Sequence, residues 1–370
     1  MRIVARYQFK EVWVPLLVWV GFLFLILFVM SFLRGTDVLL GSAVTLKDFA
    51  KFILFLAPNF LQQAIPVAFL LALLLGLGRL SEDGETTAMR SLGLGPWQML
   101  SGPLVLGAVL GGVMWALSLS LTPMGLRAVK ETVNDIIKRN LVGDVKSGVF
   151  YDDLSDVTLY AERVRSRERK WQNVLVHDGR DPDSALLVLA REGRVKTLAD
   201  GEDLKLVLLD GVLHRPAPAS LDYTKIRFEK AEILIGVGES FFQKNRFRSP
   251  KEEMTFGELR QAREEARLEG DDGRTFDMAI HWRFGQAVTP LAYAFLGTSL
   301  ALTRKQGGRA RGGLLTILGY IAYYVLARTM ASFGERGLLS PWVAAKGVNF
   351  LFAAIGAFGL WRKSRARVWA

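Results

Sequence analysis

The 370-residue chain has no cysteine and only three histidines. Without thiols there is no disulfide framework and no thiolate zinc site. His177, His214 and His281 are scattered, and none stands at metal-ligand spacing. No G-x-x-x-x-G-K-[ST] run is present, so ATP is not held by a P-loop. Ser299, in "LGTSLAL", invites comparison with intramembrane serine proteases. A hydroxyl bonding back to its own helix is far commoner, and no histidine lies within an apolar span to activate it. The chain therefore reads as non-catalytic, with no metal and no cofactor. Charge is scarce as well: 22% of residues carry it, against 51% that are hydrophobic.

The charge is also unevenly placed. Val12–Leu33, Phe52–Gly78, Ser91–Leu126 and Phe284–Thr303 contain no charged residue, and each is long enough to cross about 30 Å of hydrocarbon as helix. Gly312–Ala327 is shorter and reaches full length only by taking in Arg328, while Gly337–Trp361 carries Lys346 alone. The pattern predicts an integral membrane protein of six helices. The apolar stretch near the N-terminus is too long for a cleavable signal and no small-x-small site follows, so the first helix is expected to stay.

Segment 122–275 holds 27 basic and 28 acidic residues, against 47 and 36 for the whole chain. The basic excess thus belongs to the membrane part and does not imply a nucleic-acid partner. Arg2, Arg6 and Lys10 precede the first helix, Arg304, Lys305, Arg309 and Arg311 fill the fourth loop, and Arg362, Lys363, Arg365 and Arg367 follow the last helix. Six crossings put all three groups on one side, which the positive-inside bias makes cytoplasmic. Both termini are then cytoplasmic and the soluble insertion lies on the far face. Arg34, Lys47, Lys51 and Arg336 break the bias there.

The domains read as 1–126 (helices 1–3 with a cytoplasmic segment at 79–95), 127–275 (soluble) and 276–370 (helices 4–6). "TPMGLRAVKETVNDIIKRNL" spaces Leu126, Val129, Val133, Ile136 and Ile137 helically. "VFYDD", "VTLYAERV", "NVLVHDG", "ALLVLAREG", "LKLVLLDGVLH" and "YTKIRFEKAEILI" then read as strands. Asp178-Gly179, Asp200-Gly201 and Asp210-Gly211 serve as hairpin signals, with Pro182, Pro216 and Pro218 in loops. Such a run predicts an antiparallel sandwich or jelly roll over about 145–240. The alternating apolar residues of 186–190, 204–209 and 226–235 are expected to line its interior. Thr255 and Glu258 form a capping box ahead of "ELRQAREEARLE".

The stretch "GRLSEDGETTAMRSLGLG" at 78–95 separates two spans. Ser81 reads as an N-cap, with Glu82, Asp83 and Glu85 in the first turn where a helix dipole favours anions. Gly93 and Gly95 stop the helix before Pro96. Leu80, Ala88, Met89 and Leu92 give it an apolar stripe. An acidic, partly apolar helix outside the bilayer fits a docking knob for another protein's groove better than a solvated turn.

The pattern "LGLGRLSEDGETTAMRSLGLG" resembles the coupling segment of the lipopolysaccharide-export permeases, the LptF/LptG family. "RYQFKEV" is similar to that family's cytoplasmic lead-in, and "HWRFGQAVTPLAYAFLGTSLAL" with "TRKQGGRARG" to its fourth helix and turn. "YIAYYVLARTMASFGERGLLSPWVAAKGVNFLF" resembles its fifth and sixth helices. "HWR" and "LSEDGETTAMRSLGLG" are closer to the LptF branch. Gly84 departs from the pattern and loosens the coupling helix by about 1 kcal/mol relative to alanine.

The resemblance implies six helices with a periplasmic jelly roll between the third and fourth. It implies a paralogous LptG-like permease as heterodimer partner, a cytoplasmic LptB-like ATPase dimer, and LptC/LptA-like periplasmic bridge proteins. Glu85 is by analogy the coupling acid, surrounded by Glu82, Asp83, Thr86, Met89 and Arg90. The substrate is then lipopolysaccharide drawn from the outer leaflet of the bacterial inner membrane. Its phosphates are expected at Arg34, Lys47, Lys51, Arg127 and Lys130; for each residue alone, snorkelling to headgroups is an equal reading. Arg328 either pairs with Glu335 or snorkels, or else faces a substrate cavity between helices 1 and 5. Gly312, Gly313 and Gly319 are either close-packing points of a moving gate or ordinary membrane-helix glycines. Pro58, Asn59, Gln62, Gln63 and Pro66 suit a cavity lining or plain bundle packing. The rival functions are an ABC-type mechanotransmitter that moves no lipid, and a structural or sensory membrane protein without an ATPase.

Overall fold

The structure, a computed structural model, describes residues 2–34, 45–143, 147–154, 157–165, 170–179, 186–197, 204–216, 223–235, 250–302 and 308–365. Asp200, Gly201, Pro182, Pro218, Arg304 and Lys305 lie outside these residues. The chain forms two compact units. One contains residues 1–33, 54–126 and 251–370; the other contains 34–53 and 127–250.

The first unit is helical. Its elements are α1 (Arg2–Arg34), most of α2 (Leu46–Glu82), the short α3 (Glu85–Ser91) and α4 (Pro96–Met99), and α5 (Ser101–Ala116). A π-helical turn at Leu117–Leu121 joins α5 to α6 (Thr122–Gly143), which belongs to the second unit from residue 127 onward. After the β-strands come α7 (Pro250–Glu253), α8 (Phe256–Leu268), α9 (Arg274–Ala301), α10 (Gly308–Glu335) and α11 (Pro341–Arg365). Among the described residues, five helices are long and apolar enough to cross a bilayer: α1, α2, the α4–α6 rod, α10 and α11.

The fourth expected span, α9, is helical over 28 residues but does not reach that apolar level among the five. Its composition explains this. Gln286, Thr289, Tyr293, Thr298 and Ser299 dilute the apolar run, and Tyr293 and Thr298 are fully buried. Helix α9 lies at the centre of the helical unit, with α5 on one side and α11 on the other. Each crossing is made close by glycine. A Cβ on Gly111 of α5 would lie 2.8 Å from the Ala287 carbonyl oxygen of α9, and one on Gly356 of α11 would lie 2.5 Å from the Leu296 nitrogen. Small residues of this kind let helix backbones approach where lipid offers no hydrophobic drive.

Gly319 is different: a Cβ there meets Leu70 at an ordinary 3.5 Å. It is not a close-packing point; glycines whose added Cβ would press on the backbone of a neighbouring helix include Gly76, Gly111, Gly125, Gly285 and Gly356.

Burial separates the helices sharply. In the apolar stretch of α2, 72% of residues are buried within the protein, against 11% for α1 and for α10. Helix α2 is therefore core. α1 and α10 present apolar faces outward, through Val14, Leu17, Val18 and Phe22 on one and Ile317, Leu318, Ile321 and Val325 on the other.

The second unit carries six strands: β1 (Phe150–Leu154), β2 (Val157–Arg165), β3 (Lys170–Asp178), β4 (Leu186–Thr197), β5 (Leu204–Pro216) and β6 (Tyr223–Ile235). All six expected strand segments form. Their order, however, is β1-β2-β3-β4-β5-β6, each antiparallel to the next, an up-and-down meander in one sheet. A jelly roll needs strands that pair out of sequence, and none of the described strands does so. Val157, Leu159, Ala161, Trp171, Val174, Val176, Val188, Ala190, Leu206 and Leu208 form the buried cluster. Of the runs 186–190, 204–209 and 226–235 expected to line the interior, Val188, Ala190, Leu206 and Leu208 are buried, whereas Leu189 is 42% and Ile226 51% exposed.

Asp210-Gly211 is not a hairpin. It lies inside β5, where Asp210 takes φ 51° and pairs with Arg191 at 3.1 Å. Gly211 is required there because a Cβ would meet the Leu189 carbonyl oxygen and the Phe228 ring, both at 2.5 Å. Two lysines, Lys205 and Lys230, flank Glu232 on the sheet and hold its carboxyl down to about 2.

Residues 251–275 cluster with the helices rather than the sheet. Arg283 of α9 is buried and donates to the carbonyls of Lys251, Glu252 and Met254 at 2.9, 3.3 and 2.7 Å. Arg263 and Arg267 of α8 both pair with Asp277, at 3.0 and 3.1 Å. The capping box forms as expected, with the Glu258 nitrogen donating to Thr255 Oγ1 and the Thr255 nitrogen to Glu258 Oε2.

Candidate functional site

Helix α2 does not stop at Ser81. It runs through Glu82, and the break falls at Gly84, whose φ of 76° is a conformation side chains resist. Only Glu85 occupies the first turn of α3, while Glu82 ends α2 and Asp83 lies in the turn. Gly84, with no side chain to cap, is the residue before the helix. At the other end Gly93 takes φ 95°, and Pro96 opens α4 after Gly95. A seven-residue helix bounded by two left-handed glycines has little stability of its own. Its placement therefore depends on the contacts it makes with the rest of the bundle.

The expected apolar stripe divides. Leu80 belongs to α2 and is buried at 1% exposure, and Met89 packs against the same helical core. Ala88 is exposed and Leu92 is 82% exposed. Glu82, Asp83, Thr87, Ala88, Ser91 and Leu92 thus form the outward surface, acidic at one end and apolar at the other. Thr86 is buried, its hydroxyl donating to Ser81 Oγ at 3.3 Å, and Arg90 is half-buried.

Glu85 is held within the chain. The Tyr7 hydroxyl of α1 donates to its Oε1 at 3.1 Å. One turn along α1, Glu11 pairs with Arg79 of α2. Sequence reading missed Tyr7, Glu11 and Arg79 because 78 and 68 residues separate the partners and no local pattern joins them.

The bundle interior carries a polar layer on both sides of α9. Gln62 of α2 donates to Gln286, Ser118 of the π turn donates to the same oxygen at 3.4 Å, and Thr122 donates to Gln62 at 2.8 Å. On the other side the Thr289 and Tyr323 hydroxyls lie 2.9 Å apart. Tyr323 donates to Asn349 at 3.0 Å, and Asn349 Nδ2 donates to the Gly285 carbonyl at 2.7 Å. Gln62 is therefore bundle packing, while Gln63 turns back to the Asn59 carbonyl of its own helix. Polar groups in hydrocarbon that find partners fix helix register.

The sequence-predicted cations divide between the units. Arg34, Lys47, Lys51, Arg127 and Lys130 belong to the unit with the sheet, and Arg328 to the other. Lys47 and Lys51 are exposed one turn apart on α2, Arg127 and Lys130 are half-buried on α6, and Arg34 is the last residue of α1. Arg328 does not pair with Glu335, which instead lies 3.5 Å from Lys251. Its guanidinium sits over the Tyr324 ring at 5.4 Å, exposed on the same outward face as Ile321 and Val325.

Residues 6–362 match the family described as lipopolysaccharide export system permease LptF/LptG. The chain is similar to the lipopolysaccharide export system permease protein LptF of Escherichia coli strain K12, at 23% identity over 97% of this chain and 95% of that protein. The LptF proteins of Escherichia coli O157:H7 and Shigella flexneri match at the same identity and coverage. With nearly the whole length matched, the chain belongs to the LptF/LptG family of lipopolysaccharide export permeases.

Proposed function

We propose that this permease subunit draws lipopolysaccharide from the outer leaflet of the bacterial inner membrane and passes it toward a periplasmic bridge. The energy comes from ATP hydrolysed by a separate cytoplasmic dimer. Helix α3 and its flanks, with Glu82, Asp83, Glu85, Thr86, Met89 and Arg90, form the docking surface for that ATPase. α9 acts as a sixth span: at 1.5 Å per residue its 28 residues reach about 42 Å, more than the hydrocarbon thickness. Both termini are then cytoplasmic and the six-stranded sheet is periplasmic. A paralogous permease completes the transporter, and LptC/LptA-like proteins receive the lipid.

The observation that carries lipid handling is Arg328, a cation exposed on an otherwise apolar span. A charge within a span is costly in lipid unless it finds an anion or water. A substrate phosphate supplies that anion. Arg34, Lys47, Lys51, Arg127 and Lys130 extend the same chemistry to the outer rim. Replacing Arg328 with a photoreactive phenylalanine and irradiating the assembled complex in native membranes is expected to yield a lipopolysaccharide adduct that grows with ATP supply. Adducts to phospholipid alone would favour a mechanotransmitter that moves no lipid.

A further inference from the structure

The foot of α1 is built into the coupling segment. Tyr7 and Glu11 are four residues apart and so share a helix face. They reach to the two sides of the Gly84 break, Glu11 to Arg79 before it and Tyr7 to Glu85 after it. The approach is close. A Cβ on Gly76 of α2 would stand 2.7 Å from the Glu11 carbonyl oxygen, and one on Gly102 of α5 would stand 3.1 Å from that of Ala5. Gln8 and Val12, between and beyond the two polar contacts, are 2% and 1% exposed. The foot of α1 is therefore lodged against α2 and α5 and is not a loose lead-in.

Helix α3 cannot orient Glu85 by itself, being short and bounded by glycines at both ends. We infer that Tyr7 is a positioning residue for Glu85: its hydroxyl fixes the carboxylate that the ATPase engages and ties the coupling segment to α1. The inference rests on the coupling reading given above. A hydroxyl–carboxylate bond is charge-assisted and stronger than a neutral one. It gives the carboxylate a defined direction before the partner arrives. It also gives α1 a direct share of any displacement of α3, alongside the route through α2.

The chemistry separates positioning from packing. The Tyr7 ring contributes to the helical core, and a phenylalanine keeps that contribution. Only the hydroxyl reaches Glu85.

The test titrates purified permease complex, reconstituted in lipopolysaccharide-containing nanodiscs, with its partner ATPase, and reads both ATPase affinity and lipid release. Tyr7→Phe is expected to weaken affinity about fivefold while lowering the melting temperature by no more than about 4 °C. Glu85→Gln is expected to weaken it at least as much, and the double variant should be no worse than Glu85→Gln alone. A Tyr7→Phe titration that overlays wild type while Glu85→Gln is impaired would overturn the inference and leave the coupling reading standing. Effects that multiply in the double variant would overturn it too, since the two groups would then act separately. A silent Glu85→Gln sinks the coupling reading, and the inference with it.

Discussion

Glu85→Lys is expected to abolish ATP-driven lipopolysaccharide release while leaving the chain folded and inserted. The side chain is half-buried, and its hydrogen bond runs to one hydroxyl, Tyr7 Oη, so loss of that bond costs the fold about 1 kcal/mol. The partner meets a different situation. On the proposed coupling, a basic residue of the ATPase groove would face an ammonium in place of a carboxylate, and breaking such a pair typically costs 2–5 kcal/mol. At 1.4 kcal/mol per tenfold, affinity falls at least ~30-fold. Binding of the ATPase to permease in nanodiscs measures the loss, and thermal melting checks that the bundle is intact. Glu82→Lys and Asp83→Lys, at exposed positions just before Gly84, should act more weakly. If all three reversals weaken binding equally, the surface works by net charge and Glu85 has no special place.

Gly356→Ala is expected to produce a large loss of stability for one added carbon. The new Cβ would stand 2.5 Å from the Leu296 nitrogen of α9. That neighbour is backbone and cannot rotate away, so α9 and α11 must separate. Forcing a carbon into a filled crossing costs about 3 kcal/mol, which lowers the melting temperature in detergent by on the order of 10 °C. Gly319→Ala is the control. Its Cβ meets Leu70 at 3.5 Å, an ordinary contact, and alanine favours the helix, so its melting should change little. The pair separates two membrane-helix glycines that no sequence pattern distinguishes.

That contrast shows what the sequence leaves open. Uncharged length pointed to five helices that are long and apolar enough to span, because hydrocarbon tolerates little else, and period-two alternation found all six strands. The strand order was not legible. Val174, Val188 and Leu206 alternate correctly for a meander or a sandwich, since alternation says which face is buried and nothing about which strand lies alongside. Asp210-Gly211 carries a hairpin's residues and spends them on a left-handed position within a strand. Ser81 has the chemistry of an N-cap, but α2 has already satisfied its backbone there, so the glycine three residues later sets the break. Helix α9 looked like an ordinary span, yet its glutamine, threonine and tyrosine side chains serve the two faces of a central position. Of the site, the acids and the closing glycines Gly93 and Gly95 were legible locally, whereas Gly84 read as a residue inside the helix. Tyr7, Glu11 and Arg79 were not, because their partners are brought near only by the packing of α1 on α2.

The central claim is that a push delivered to α3 on one side of the membrane serves a bundle whose β-sheet stands on the other. The absence of cysteine makes this directly measurable, since a single introduced thiol is the only one in the chain. Leu92→Cys and Thr224→Cys, both at exposed positions, are labelled in intact cells and in inside-out vesicles with a maleimide that does not cross membranes. The account predicts that position 224 reacts in permeabilised-outer-membrane cells and position 92 only in inside-out vesicles. Labelling of both from the same side would contradict it.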